Sequence, residues 1–212
     1  MTKEGLLAVV SGFSGAGKGT IMKELLKTHP GYALSVSATT RNPRPEDIDG
    51  VTYFFLSKEK FEEMISRGEF YEYATYQGNY YGTPRAYVDR ERHAGKDVLL
   101  EIEVQGAAKI KERFPEAVLV FVTPPDAFVL KNRLVGRGTE SKEQVEGRLK
   151  RAAEEAMLMD KYDYILVNDD LKEAVEELDA YLQSEHKHID QHEIINKMNR
   201  ELAAYAKGEM PL

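Results

Sequence analysis

The chain has no cysteine. That excludes a disulfide framework and thiolate chemistry, and it suits a reducing cytoplasm. Long apolar runs are missing too. Nothing approaches the ~20 consecutive apolar residues of a membrane span. The opening MTKEGLLAVVSG offers only Leu6–Val10, which follows Glu4 and runs into a glycine-rich stretch, so neither a signal peptide nor a membrane anchor is expected. There is no excess of positive charge: the formal net charge is −7, which argues against a general nucleic-acid coat. Internal repeats and low-complexity tracts are absent. What remains is 212 residues, enough for one compact domain with inserted subdomains and a sizeable core. Its basic residues concentrate locally, at Arg41 and Arg44 and between Arg133 and Arg151, a distribution suited to small anionic ligands.

Four short apolar runs read as buried strands: Leu6–Val10, Val98–Val104, Val118–Val122 and Tyr164–Val167. Runs of this kind, separated by helical stretches, predict a parallel sheet covered on both faces, an α/β fold. After Lys18, the residues Ile21, Met22, Leu25 and Leu26 recur at helical spacing until Pro30 and Gly31. The first unit is therefore strand, glycine loop, helix. Residues 35–96 differ. VTYFFLS and EFYEYATYQGNYYGT are aromatic and β-branched with partial alternation, Gly78-Asn79 marks a turn, and SKEKFEEMISRG between them reads as an amphipathic helix closed by Gly68. This predicts a mixed α/β patch inserted into the parallel core. Residues 126–158 read as two charged helices around GRGTES, with Ser141 and Gln144 as a capping box for the second. The tail from Leu171 to Lys207 reads as helix.

SGFSGAGKGT, Ser11 to Thr20, has the composition of a phosphate-binding loop. Backbone N–H groups at a helix N-terminus attract phosphate oxygens, and side chains at Gly12, Gly15 and Gly17 would obstruct that approach. Lys18 adds a point charge for the terminal phosphates. One element of the usual pattern is missing, because the residue after Lys18 is Gly19 and the hydroxyl of Thr20 comes one step late. Gly19 cannot ligate Mg²⁺, an ion that keeps several waters and takes much of its coordination from substrate phosphates. An enzyme that binds two nucleotides can hold it between them. A switch-type GTPase is disfavoured as well, since VNDD at Val167–Asp170 does not match the guanine motif N-K-x-D. In SVSATTRNPRP, Arg41 and Arg44 stand three apart with Pro43 stiffening the backbone, so two guanidinium forks can converge on one phosphate.

Taken together, GFSGAGKGT, SVSATTRNPRP, EFYEYATYQGNYYGT, LEIEVQG, GRGTES and ILVNDD resemble the guanylate kinases in order and spacing, from about Leu6 to Leu182. The resemblance implies a P-loop core of residues 1–34, 97–125 and 159–212, a GMP-binding subdomain of 35–96 and a helical lid of 126–158. The implied activity is transfer of the γ-phosphoryl group of ATP to GMP, and to dGMP, giving ADP and GDP in guanine nucleotide metabolism, with Mg²⁺ as cofactor. It places ATP on Gly12, Ser14, Gly15, Ala16, Gly17, Lys18, Gly19 and Thr20, with Arg133 and Asn168 near the adenine. It puts the GMP phosphate on Arg41, Arg44, Tyr53 and Tyr81, and the guanine on Ser37, Glu72 and Thr83. Lys18, Arg41, Arg137 and Arg148 would neutralise charge on the transferring group.

The chemistry fits this assignment. Guanine presents N1–H and N2–H₂ donors on one edge, which one carboxylate can accept and adenine cannot match. A buried carboxylate left unpaired supports discrimination of ~10⁴ or more. No general base is required, because the attacking phosphate oxygen is already anionic. Glu101 and Glu103, two apart on the expected strand, would share one face, and Glu103 replaces the family's usual Asp. It would contact GMP or sit near the Mg²⁺, which no protein group is expected to ligate directly. Phe13 stands where many relatives have Pro and is expected to contribute backbone only. His186, His188 and His192 read as a solvated helix rather than a metal site. The tyrosine-rich 71–81 segment has few interleaved basic residues, so strand packing and nucleotide contacts are favoured over nucleic-acid stacking. The tail beyond Leu182 either packs on the core or mediates self-association. Two rival readings are a scaffold-type module without catalysis, disfavoured by the complete loop and lid arginines, and a kinase for a different nucleoside monophosphate.

Overall fold

The computed structural model describes residues 4–76, 78–136 and 142–206. Its core is a five-stranded parallel sheet. The central strand, β1 (Leu7–Gly12), leads into α1 (Lys18–Thr28), and the chain returns as β2 (Tyr32–Leu34). The sheet is completed by β7 (Asp97–Glu101), β8 (Val118–Thr123) and β9 (Tyr164–Val167), in the order β2-β7-β1-β8-β9. β1 pairs with β7 through Leu7 opposite Val98 and with β8 through Ala8 opposite Val118. Three of the four expected strands shift by one to three residues, and Tyr164–Val167 is as expected. The three-residue β2 at the edge gave no periodic signal.

Alternation along β1 explains how its near-continuous apolar run is satisfied. Ala8 and Val10 join one layer with Ile21, Met22 and Leu25 of α1, and with Ala174, Val175, Leu178 and Leu182 of the C-terminal helix α7 (Leu171–Ala206). Leu7 and Val9 face the opposite layer, with Val88 of α3 (Arg85–His93) and Ala107 and Ile110 of α4 (Val104–Arg113). Both faces are dry, so alternate polar residues in β1 would each strand a polar group in a core.

A second, four-stranded sheet has the order β4-β3-β6-β5. It combines β3 (Ala38–Thr39) and β4 (Phe54–Phe55) with the hairpin of β5 (Phe70–Tyr76) and β6 (Asn79–Pro84). The hairpin turns at the expected Gly78-Asn79. Helix α2 (Lys58–Ser66) begins where the Ser57 hydroxyl accepts from the Lys60 N–H. Its Phe61 stacks on Phe70 at 4.3 Å and on Tyr80 at 5.1 Å, forming a small core under this sheet. α3 packs on the parallel sheet through Val88.

Helices α5 (Ala127–Val135) and α6 (Lys142–Ala156) pack beside the chain that joins β1 to α1, held to the core through Leu130, Leu134, Val145 and Ala152. Ser141 of the expected capping box lies outside the described residues. α7 is longer than its packing requires. Its buried residues end at Leu182, and it continues to Ala206. Near that point His186 is not solvated as expected. Its Nε2 lies 2.9 Å from both carboxylate oxygens of the buried Asp97, which also accepts the Leu6 N–H at 2.7 Å. Among the described residues, no helix is long and apolar enough to cross a membrane.

Candidate active site

The carboxyl ends of β1, β7 and β8 open onto a crevice, the usual ligand position in a parallel α/β sheet. The chain between β1 and α1 forms its floor. Ser14, Gly15, Gly17, Lys18, Gly19 and Thr20 line a cavity of about 690 Å³, together with Lys23, Glu24 and Lys27 of α1 and Glu101 at the end of β7. The Lys18 ammonium folds back over the loop and donates to the carbonyls of Gly12 at 2.8 Å and Phe13 at 3.1 Å. The glycines answer a stricter demand than phosphate access. Gly12 has φ +140°, and a Cβ there would lie 2.0 Å from the Val122 carbonyl oxygen. Gly17 has φ +92°, and its Cβ would meet the Asn168 amide nitrogen at 2.3 Å. The loop is thus pressed against β8 on one side and against the end of β9 on the other.

Asn168 is itself buried and donates its amide to the Ala16 carbonyl at 2.7 Å. It braces the loop from beneath. Phe13 contributes more than backbone: its ring is buried and meets Phe121 edge to face at 4.9 Å, which anchors the start of the loop.

The expectation that Glu101 and Glu103 share a strand face is corrected. β7 ends at Glu101, opposite Val10 of β1. Glu103 is the N-cap residue of α4, and its carbonyl accepts from Gly106 and Ala107 at 2.9 and 3.0 Å. The Ser11 hydroxyl takes the Ile102 carbonyl at 2.8 Å, so the chain leaves the sheet one residue after Glu101. It is therefore Glu101 that stands over the gap left by Gly19. A Cβ on Gly19 would lie 3.6 Å from one Glu101 carboxylate oxygen and 3.8 Å from the other. Glu101 stays open to solvent on one side, yet the crevice walls hold its carboxyl above its ordinary value, and the Lys18 charge pulls it back. Glu103 instead acts on Glu155 of α6. Burial first, and then the negative charge of Glu103, raise the Glu155 carboxyl, while Lys18 and Arg151 oppose the rise. Sequence spacing did not reveal Glu155.

Arg148 of α6 reaches the loop directly, donating to the Ser14 hydroxyl at 2.6 Å. Arg133 lies half-buried in the last turn of α5. Arg137 lies outside the described residues.

On the second sheet, Arg41 donates to the Asp47 carboxylate at 2.9 Å, with its guanidinium 5.4 Å from the centre of the Tyr53 ring and 5.7 Å from that of Phe55. Tyr53 and Tyr81 lie edge to face at 6.1 Å, and Tyr81 also faces Arg41. Asp47 accepts the Arg44 backbone N–H at 2.7 Å, which leaves the Arg44 side chain at the surface. Asp47 and Phe55 are the residues that sequence reasoning missed. An acid three residues after an arginine in a proline-rich turn is the signal that could have found Asp47. Farther along the same sheet, Glu72 is buried and accepts the Thr83 hydroxyl at 2.9 Å. Burial holds its carboxyl above the ordinary 4.5, against the lowering effects of Thr83 and Lys109. Gly106 lets α4 pass close by, since a Cβ there would lie 3.4 Å from the second Glu72 oxygen. Ser37 precedes β3, where its carbonyl accepts the Phe54 N–H at 2.9 Å. Arg41, Tyr53 and Tyr81 therefore form one cluster, and Glu72 with Thr83 a second.

Comparison with known proteins agrees with this geometry. The family model described as guanylate kinase matches residues 5–185. A guanylate kinase of Clostridioides difficile is 54% identical over 202 residues, covering 94% of this chain and 98% of its own. One from Lactococcus lactis subsp. lactis is 50% identical, covering 90% of this chain and 93% of its own. Among solved structures, the guanylate kinase of Anaplasma phagocytophilum superposes with a TM-score of 0.67 at 32% identity, over 87% of each chain.

Proposed function

The chain belongs to the guanylate kinase family, and from that premise we propose how its residues divide the work. It is an ATP:GMP phosphotransferase: the γ-phosphoryl group of ATP passes to GMP, giving ADP and GDP. The observation that carries the acceptor assignment is the buried Glu72 carboxylate, whose hydrogen-bond partner among the described residues is Thr83 Oγ1. A carboxylate at this depth has acceptor capacity to spare, and the N1–H and N2–H₂ edge of guanine fills it.

ATP phosphates lie in the loop of Gly12, Ser14, Gly15, Ala16, Gly17, Lys18, Gly19 and Thr20, held by backbone N–H groups and by Lys18. Arg133 and Asn168 border the adenine side, Asn168 chiefly by fixing the loop. The GMP phosphate is taken by Arg41, Arg44, Tyr53 and Tyr81. Asp47 presets this cluster by gripping Arg41 and the Arg44 backbone together. Ser37, Glu72 and Thr83 read the base, which GMP and dGMP share. Lys18, Arg41, Arg137 and Arg148 neutralise charge as the phosphoryl group moves between two anionic oxygens. Alignment and charge neutralisation suffice, with no base to remove a proton. Closure of α5 and α6 over the crevice excludes water and protects ATP from hydrolysis.

Mg²⁺ fits the crevice in a particular way. Gly19 leaves room where a ligating hydroxyl would stand, and the Glu101 carboxylate faces that room. The ion would be held mainly by substrate phosphates and waters, with Glu101 rather than Glu103 facing those waters. It would supply charge stabilisation on the phosphates. A cytoplasmic enzyme is the proposed setting, on its guanylate kinase family and its cysteine-free composition.

A coupled ADP-release assay across GMP, dGMP, AMP, UMP and dTMP tests the reading. GMP turnover far above the ATP-only rate is expected, with AMP and the pyrimidine nucleotides near it. Equal turnover of AMP and GMP would overturn the role given to Glu72.

A further inference from the structure

The last twenty residues of α7 form a helix without a body beneath it. From Lys187 to Arg200, every residue whose side chain is described is exposed. At the base of this extension the helix is bonded to the core through Glu185, which accepts from Tyr164 at 2.6 Å, and through His186, to Asp97. Residues 187–206 then continue for about 30 Å at helical rise. This extension is not a polar spacer. Ile194, Ile195, Met198 and Leu202 are 64%, 52%, 52% and 58% exposed. Their spacing of three and four residues puts all four on one side of the helix. Ile195, Met198 and Leu202 follow the a, d, a steps of a heptad, with Ile194 beside them on the flank.

Charge decides what covers this stripe. Residues 187–206 carry three basic side chains, Lys187, Lys197 and Arg200, and three acidic ones, Asp190, Glu193 and Glu201. The extension is thus neutral within a chain of net charge −7. A helix seated on an anionic membrane or on nucleic acid carries a basic polar face, and this one does not. Lys197 is also paired within its own helix, to Glu201 at 3.8 Å. Two acidic bodies repel each other when they meet elsewhere on their surfaces. They can meet here with both signs present on each side and an apolar seam between. A stripe of this kind is its own complement when a two-fold axis brings two copies together.

We propose that the C-terminal extension of α7 is a self-association surface, on which the Ile194, Ile195, Met198 and Leu202 stripe of one chain packs against the same stripe of a second copy. It leaves the crevice open, because both clusters of the acceptor site and the phosphate loop lie on other elements.

Sedimentation equilibrium of the full chain tests this directly. The expected mass is twice the 24.0 kDa of one chain. The double variant Ile195→Glu, Met198→Glu should sediment at the mass of one chain, with wild-type turnover per chain and wild-type helical circular dichroism. Arg200→Ala, on the opposite side of the same helix, should keep the double mass. A single-chain mass for the wild type over the whole concentration range overturns the proposal. So does a double mass that the Ile195 and Met198 substitutions leave intact, which would put the contact on another face. A wild-type chain that sediments alone and floats with phosphatidylserine vesicles would overturn it in favour of a membrane.

Discussion

The proposed site rests recognition of the base on one buried group, Glu72. Its carboxyl is raised chiefly by burial, with Thr83 and Lys109 opposing. A raised folded value means that the native state keeps a proton the unfolded chain has already released. The stability carried by that protonated form is complete below the ordinary value near 4.5 and is lost as pH climbs through the folded value. Guanine needs the opposite form, because only the ionised carboxylate accepts both ring donors. GMP capture therefore strengthens over the window in which the free protein loses this stability. We expect kcat/KM for GMP to fall on the acid side with an apparent pKa above 4.5. In Glu72→Gln the part of that limb set by this carboxyl should vanish, leaving the limb of the GMP phosphate with its second pKa of ~6, and kcat/KM should drop about 100-fold, the loss of charged hydrogen bonds worth ~1.5–3 kcal/mol. KM for ATP should stay near wild type. Steady-state kinetics of both substrates against pH checks all three points.

At the scale of the element, the strand–loop–helix unit from Leu7 to Thr28 is under tight geometric constraint at Gly12 and Gly17. Gly17→Ala would force a Cβ onto the Asn168 amide at a backbone angle that L side chains rarely adopt. That strain is of order 1–3 kcal/mol, or roughly 2–12 °C in melting temperature for a chain of this size. Calorimetry without nucleotide should show the drop, and ATP binding should weaken as well because the loop itself moves. This unit was legible in the sequence because an apolar run, a glycine loop and a helical repeat each report on local structure. The turn at Gly78 and the helix stop at Gly68 were legible for the same reason. β2 was not, since three edge residues carry no period. The end of β7 was misplaced because EIEV reads as strand, whereas its fate is set by tertiary contacts: Ser11 takes the Ile102 carbonyl and α4 begins at once. Glu155 escaped because its partner Glu103 meets it only through the fold, whereas Asp47 had a local signal in its place three residues after Arg44.

Across the whole molecule, Asp97 ties three distant parts of the chain together. It receives the Leu6 N–H at the start of β1 and the His186 imidazole from α7, and it opens β7 itself. His186→Ala would leave a buried carboxylate with one partner fewer, at a cost of about 1–3 kcal/mol. A fall in melting temperature of roughly 2–12 °C, with kcat for GMP retained, is expected from thermal denaturation and activity measured side by side. The two substrates, meanwhile, meet unlike surfaces. The donor loop is already held in place by Asn168 and Lys18, so its ordering accompanies folding. In the site we propose, the acceptor phosphate meets Arg44, whose side chain lies at the surface. Immobilising such a side chain at the moment of binding costs about 0.5–1.5 kcal/mol. The entropy of capture is therefore divided unevenly: ATP enters a loop that folding has already ordered, and GMP must order part of its own seat on arrival.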